Sequence, residues 1–222
     1  MNRKLIIYLR WLSFLGSSVM RSAVCAVAVV VLAGLPSSSV AQTGAFTDSR
    51  DGKTYKTVKI GKQTWMARNL DFATDSGSWC YNDSASYCAK YGRLYTWETA
   101  KAVCPDGWKL PDTSDWDMLG TGHELKSKSG WVGFVGGRGN GIDKYGFSAL
   151  PGGSRDITYN RFKDVGLSGY WWTASEKNGS AWLVMMCSIF SYENLNSGYV
   201  RYMFCTDKGD GLSVRCVRDV KK

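Results

Sequence analysis

The alternation of hydrophobic and polar residues predicts an antiparallel hairpin near the start of the main body of the chain. Residues 53–60 alternate in character, Gly61-Lys62 can form a two-residue turn, and residues 63–66 continue as a return strand. Alternation with a period of two is typical of a strand, and two-residue loops join neighbouring antiparallel strands. The preceding residues 42–50 are small and polar, so we predict a flexible leader there.

Helical spacing is confined to the middle of the chain. Apolar residues at positions 94, 97, 100 and 103 predict a helix over residues 94–103. Asp112 or Thr113 can cap a second helix, with Trp116 and Leu119 facing inward. Residues 71–90 between the hairpin and the first helix are loop-like.

Beyond residue 120 the chain is rich in Gly, Ser, Trp and Tyr, a composition that favours short strands joined by long structured loops. The strands predicted there span residues 146–150, 170–174, 181–186, 199–204 and 212–218. We therefore predict an α+β fold, with two helices packed on short antiparallel strands and with long loops.

The N-terminus has the features of an export signal. Residues 23–35 form an apolar run of 13 residues after Arg21, too short to span a bilayer, and Ser39-Val40-Ala41 is a small-x-small cleavage site. We predict a signal peptide over residues 1–41, a mature start at Gln42, and one domain over residues 51–222.

Two points about this export signal stay open. Met20 would itself begin a compact signal peptide, so translation from Met1 and from Met20 are both possible starts. Val24 does not fit a lipid-attachment box before Cys25, which favours a product without a lipid. Arg10 and Arg21 count against an uncleaved membrane anchor, because a charge at mid-bilayer costs a few kcal/mol.

The charge balance argues against nucleic acid as a partner. Without residues 1–41 the chain keeps 24 basic and 19 acidic residues, so its formal charge falls from +9 to +5. The basic residues are spread along the sequence, whereas nucleic-acid binding needs a clustered patch.

The cysteines indicate disulfides rather than a metal site. Six remain after the predicted cleavage, and an even number in an exported chain allows 15 pairings; they are Cys80, Cys88, Cys104, Cys187, Cys205 and Cys216. No Cys-x-x-Cys pair occurs and His123 is the only histidine, so we expect neither a metal nor another cofactor.

Several motifs resemble one known family. The most specific are Trp65-Met66-Ala67-Arg68-Asn69-Leu70, Cys104-Pro105-Asp106-Gly107-Trp108-Lys109-Leu110-Pro111, Gly169-Tyr170-Trp171-Trp172-Thr173-Ala174-Ser175 and Val214-Arg215-Cys216-Val217. Together with residues 51–61, 80–83, 91–97 and 145–153, they resemble the Fibrobacter succinogenes major paralogous domain over nearly all of residues 50–220. The resemblance implies a fold related to that of C-type lectins. It also implies the disulfides Cys104–Cys216 and Cys187–Cys205, with Cys80–Cys88 as a local addition.

A more distant likeness is to the formylglycine-generating enzyme superfamily. It rests on the stretch from Leu110-Pro111 to Trp116 and on Val214-Arg215-Cys216. Such an enzyme holds copper with two close thiols near its C-terminal end. Here only Cys205 and Cys216 are candidates, and both are expected in disulfides.

No catalytic set is recognisable in the sequence. His123 lies beside Glu124 at the expected end of the second helix, where a lone histidine more often caps the helix than acts as a base. Ser148 and Ser175 have no identifiable partner, and the Gly-rich residues 136–141 lack the strand-to-helix context of a phosphate loop. We therefore expect no catalytic residues.

The long segment over residues 130–178 holds most candidate recognition residues, and loops on a rigid scaffold often carry recognition. We predict Arg155, Tyr159 and Trp171 as ligand-binding residues, with Arg138, Asp143, Asp156 and Arg161 beside them. Phe147, Leu150 and Trp172 should anchor the segment to the core. Asp143, Asp156, Asp164 and Glu176 could supply calcium ligands, although solvated loop acids are the more ordinary explanation.

These observations favour an exported, non-catalytic binding or adhesion module. The expected partner is an extracellular polysaccharide or a cell-surface protein. Two alternatives stay open, namely an oxidoreductase of the formylglycine-generating type and a structural protein of the envelope.

Overall fold

The computed structural model describes residues 42–133, 139–188 and 201–219, and only the backbone of residues 201–205. The strands are β1 (Thr43–Thr47), β2 (Thr54–Ile60), β3 (Gln63–Met66), β4 (Ser78–Trp79), β5 (Leu94–Tyr95), β6 (Ser154–Asp156), β7 (Arg161–Lys163), β8 (Ser168–Lys177), β9 (Ser180–Cys187), β10 (Arg201–Thr206), β11 (Leu212–Ser213) and β12 (Val217–Asp219). The helices are α1 (Ala85–Tyr91), α2 (Trp97–Val103), α3 (Thr113–Asp117) and α4 (Gly122–Leu125). The predicted signal peptide and Arg138 lie outside the described residues.

The strands form three sheets, which confirms the α+β class. A four-stranded antiparallel sheet has the order β1-β2-β3-β12, and a six-stranded sheet has the order β10-β9-β8-β11-β5-β4. Strands β6 and β7 form a separate two-stranded sheet, and one isolated antiparallel bridge joins Arg155 on β6 to Gly211. The pairing of β12 with β3, with Val217 opposite Trp65, joins the two ends of the domain. No helix among the described residues is both long and apolar enough to cross a bilayer.

The first hairpin is confirmed, but the flexible leader is wrong. Strands β2 and β3 pair from Thr57↔Met66 to Ile60↔Gln63. Residues 43–47 add a further strand, β1, along the outer side of β2. Phe46 on this strand packs against Trp108, with the ring centroids 5.2 Å apart. This partly buried ring and the pairing with β2 hold the segment in place despite its polar composition.

The first predicted helix starts later than its spacing indicates. Leu94 and Tyr95 form β5, and α2 begins at Trp97 because the Thr96 hydroxyl accepts a hydrogen bond from the Thr99 amide at 3.3 Å. The cap of the second helix is confirmed. Asp112 caps α3, and the Asp115 side chain bonds back to the Asp112 amide in a capping box.

Other predictions of secondary structure fail for local reasons. Residues 71–90 are not a loop, because they contain β4, a single 3-10 turn and α1. Residues 146–150 are not a strand, because Ser148 adopts a left-handed conformation with φ of 54°. The predicted strand 212–218 is interrupted between β11 and β12, where Val214 accepts from the Leu70 amide outside any sheet. The strands predicted at 170–174 and 181–186 lie within β8 and β9, and that at 199–204 overlaps β10.

The hydrophobic core lies on both faces of β8. Trp172 belongs to one buried cluster together with Tyr95, Trp97 and Leu212, whereas Trp171 belongs to a second one. The neighbours of Trp171 there include Trp65, Trp116, Phe147 and Val184. Both faces of this strand are therefore covered by the fold.

Two of the three implied disulfides are confirmed. Cys104 is bonded to Cys216 and Cys80 to Cys88. The pairing Cys187–Cys205 is wrong, because Cys205 lies opposite Trp182 in the ladder, five residues along β9 from Cys187. Five strand residues span about 16 Å, whereas a disulfide requires Cα atoms within about 7 Å.

Candidate functional site

The β6–β7 hairpin, residues 154–163, carries two of the three predicted ligand-binding residues. We call it the recognition hairpin. Its pairs are Ser154↔Lys163, Arg155↔Phe162 and Asp156↔Arg161. In the turn, the Ile157 amide donates to Asp210 Oδ1 at 3.1 Å and the Tyr159 amide donates to Asp156 Oδ1 at 3.2 Å. These bonds fix the turn to its own strand and to the loop before β11.

The inner face of the recognition hairpin is held by Arg155. Its guanidinium lies 4.1 Å from the ring centroid of Trp79, and its backbone exchanges two hydrogen bonds with Gly211 at 2.9 and 2.8 Å. A Cβ on Gly211 would come within 2.9 Å of the Arg155 Cβ, so this close approach requires glycine. Phe162 packs against Tyr81 with centroids 5.2 Å apart. Arg155 is therefore half-buried and anchors the hairpin.

The outer face of the recognition hairpin presents Tyr159, whose residue surface is 69% exposed. The Arg161 guanidinium lies 5.0 Å from its ring centroid. Beside them, Lys163 Nζ lies 3.0 Å from Asp156 Oδ2, and this hydrogen bond lowers the pKa of the Asp156 carboxyl. An aromatic ring, a guanidinium and an ion pair thus face solvent together.

Trp171 is not a recognition residue, contrary to the prediction. It is fully buried, and its indole N–H donates to Asn69 Oδ1 at 2.8 Å. Its ring lies 6.0 Å from that of Trp116 on α3. A side chain with no accessible surface cannot contact an external ligand. Trp172 is also fully buried, in keeping with its predicted anchoring role.

The other anchoring predictions hold for Phe147 but only partly for Leu150. Phe147 is fully buried, with its ring 5.7 Å from Trp65 and 5.9 Å from Trp116. Leu150 is half-buried.

The four acidic residues considered for calcium lie in separate interactions. Asp143 accepts from the amide and hydroxyl of Ser148, and Asp164 accepts from the Tyr170 hydroxyl at 2.8 Å. Asp156 pairs with Lys163, and Glu176 pairs with Lys208. The described residues contain no group of three or more side chains suited to a metal ion.

The candidate nucleophiles are engaged in closing loops. The Ser148 hydroxyl donates to Asp143 at 2.6 Å, and the Ser175 hydroxyl accepts from the Thr113 amide at 3.1 Å. Glu124, beside His123, accepts from Lys144 at 2.6 Å.

Two buried cations were missed by the sequence analysis. Arg215 is fully buried and donates to Asn69 Oδ1 at 2.7 Å and to the Phe147 carbonyl, and burial lowers its pKa to about 9. Lys126 is also fully buried, its Nζ donates to the Cys187 carbonyl at 3.0 Å, and burial lowers its pKa to about 8. A charged residue within the apolar strand segment 212–217 was the available signal for Arg215.

The comparisons with known proteins agree with the motifs. The model of the Fibrobacter succinogenes major domain matches residues 58–218. No curated protein and no solved structure matches the chain. Because this family model covers well over half of the sequence, the chain belongs to the Fibrobacter succinogenes major domain family.

Proposed function

We propose that this protein is an exported, non-catalytic binding module whose recognition hairpin contacts the ligand. The observation that carries the proposal is the exposure of Tyr159 on a hairpin that Arg155 fixes to Trp79. An exposed aromatic ring offers a large contact area, and a rigid support reduces the entropy lost on binding. Arg161 adds hydrogen-bond donors over one face of the ring and leaves the other face for a ligand.

The proposed scaffold is C-type-lectin-like. Its supports are the disulfide between the end of α2 and the closing segment, and the β3–β12 pairing that brings the two ends together. The recognition hairpin lies in the long segment between the helices and the last strands. Two disulfides fit an exported protein, either secreted or held at the cell envelope.

Binding is favoured over oxidoreductase chemistry by the state of Cys216. An enzyme of the formylglycine-generating type would need this sulfur as a thiol, but it is bonded to Cys104. Alkylation of thiols in the denatured, unreduced mature protein, followed by peptide mapping, tests this point, because alkylated Cys104 and Cys216 would favour the enzyme instead.

The ligand class that fits best is a polysaccharide. The Tyr159 ring can stack on a sugar, and the neighbouring Arg161 guanidinium can donate hydrogen bonds to the hydroxyl groups of that sugar. A cell-surface protein is the second candidate. The mature protein should be screened by pull-down on insoluble plant polysaccharides and by binding to intact cells.

Variants of the hairpin give the decisive comparison. Tyr159→Ala should weaken binding about tenfold or more, as loss of an aromatic anchor commonly does. Met118→Ala is the matched control, because Met118 is an equally exposed large apolar residue, at 61%, on another part of the surface. Equal binding by Tyr159→Ala, Arg161→Ala and the wild type would contradict the proposed site.

A further inference from the structure

An open cleft of about 680 Å³ lies on the four-stranded sheet, away from the recognition hairpin. Its lining comes from Thr64 on β3, from residues 106–109 after α2, and from β12. Two backbone hydrogen bonds between Lys109 and Val217, of 2.9 and 3.0 Å, hold its two sides together. The nearby Cys104–Cys216 disulfide braces the same junction.

The indole N–H of Trp108, which lines this cleft, is buried without a hydrogen-bond acceptor among the described residues. The residue as a whole is only 8% exposed. Five other buried tryptophans each donate the indole N–H to an oxygen, namely Trp65, Trp97, Trp131, Trp171 and Trp172. A buried donor left without a partner is unfavourable, and an acceptor supplied by a ligand would remove this cost.

The side chain of Arg218 lies over the ring of this indole. Its guanidinium lies 4.6 Å from the Trp108 ring centroid, while the residue itself is exposed. Phe46 packs against the same ring, with the centroids 5.2 Å apart. We expect a ligand that reaches the indole to displace the Arg218 side chain.

The charges of the cleft favour an uncharged ligand. Arg218 contributes donors, as does Lys109, whose Nζ also pairs with Asp115 Oδ2 at 3.0 Å, whereas Asp106 and Asp219 contribute acceptors. An anion would meet the two carboxylates, and a cation would meet the two bases. Hydroxyl groups both donate and accept, so they can satisfy both kinds of side chain.

We infer that this cleft is a second binding site, and that it takes a neutral sugar residue whose hydroxyl oxygen accepts from the Trp108 indole N–H. The site shares no residue with the recognition hairpin. It is therefore independent of the proposed function, and either site could be disproved without the other.

The test follows the indole N–H directly by NMR of ¹⁵N-labelled mature protein. The signal that disappears in Trp108→Phe identifies Trp108. Cellohexaose, xylohexaose and mannohexaose are then titrated separately. At least one should shift the Trp108 signal, and Trp108→Phe should bind that sugar roughly three- to tenfold more weakly, the effect of one hydrogen bond.

Controls separate the possible outcomes. Tyr159→Ala should leave the Trp108 shift unchanged, which distinguishes this site from the hairpin. If Trp108→Phe fails to fold, Asp106→Asn on the exposed side of the cleft replaces it, with weaker binding again expected. The inference is overturned if none of the three sugars moves the signal, if only oligogalacturonate or inorganic phosphate does so, or if the folded cleft variant binds like the wild type.

Discussion

Removal of the Cys104–Cys216 disulfide should destabilise the domain far more than removal of Cys80–Cys88. The first bond joins residues 112 positions apart, and the second joins residues 8 apart. In the chain-entropy model these loops correspond to about 5 and about 2.5 kcal/mol of stability. The free energy of unfolding of a domain is about 5–15 kcal/mol, so loss of the Cys104–Cys216 bond would remove much of the total stability.

The measurement is urea unfolding of Cys104→Ala/Cys216→Ala, of Cys80→Ala/Cys88→Ala and of the wild type, each followed by tryptophan fluorescence. We expect the first variant to lose roughly twice as much free energy of unfolding as the second, or to fail to fold. The Cys80→Ala/Cys88→Ala variant should stay folded, because the bond that it lacks ties only α1 to the residue before the adjacent 3-10 turn. Equal losses, or a larger loss from the local pair, would refute the loop-length argument.

Three further predictions concern buried side chains. Phe147→Ala should cost about 3–5 kcal/mol in urea unfolding, because its ring packs between two tryptophans, whereas Phe147→Leu should cost much less. Trp171→Ala should cost a similar amount and lower the melting temperature sharply; a variant as stable as the wild type would contradict its burial. Lys126 has its pKa lowered from 10.5 to about 8, so the unfolded state binds more protons between these values and stability should rise with pH in that interval. Lys126→Met should flatten this rise in urea midpoints measured from pH 7 upward, and an unchanged slope would show that other groups cause it.

The sequence predicted those elements whose signals are local. The β2–β3 hairpin follows from alternation and a two-residue turn, and the start of α3 follows from the Asp112 cap. The start of α2 was predicted too early because Leu94 lies one helical period before Trp97, although it belongs to β5. The hydrogen bond at Thr96 and the pairing of Leu94 with Trp79 decide against that period, and the second of these depends on tertiary structure.

Two other failures share one cause, namely contacts between residues distant in sequence. Strand β1 has the composition of a leader, and the side chain that packs it against the domain, Phe46, contacts Trp108, more than sixty residues later. Likewise, the sequence indicates that Trp171 and Trp172 point to opposite faces of a strand, but not that both faces are covered. That covering comes from α3 on one side and from β5 on the other.

The buried residues of the family motifs and the exposed residues of the recognition hairpin differ in how strongly packing constrains them. Asn69 accepts hydrogen bonds from Trp171 and Arg215, which stand 102 and 146 positions away. These three residues belong to three of the motifs that carry the family resemblance, and all are buried. A buried guanidinium without such acceptors would be strongly destabilising, so this network constrains which residues can occupy these positions. In contrast, the exposed turn of the recognition hairpin, with Tyr159, has few packing constraints. Family motifs therefore predict the core well, whereas the exposed turn of the recognition hairpin lies outside them.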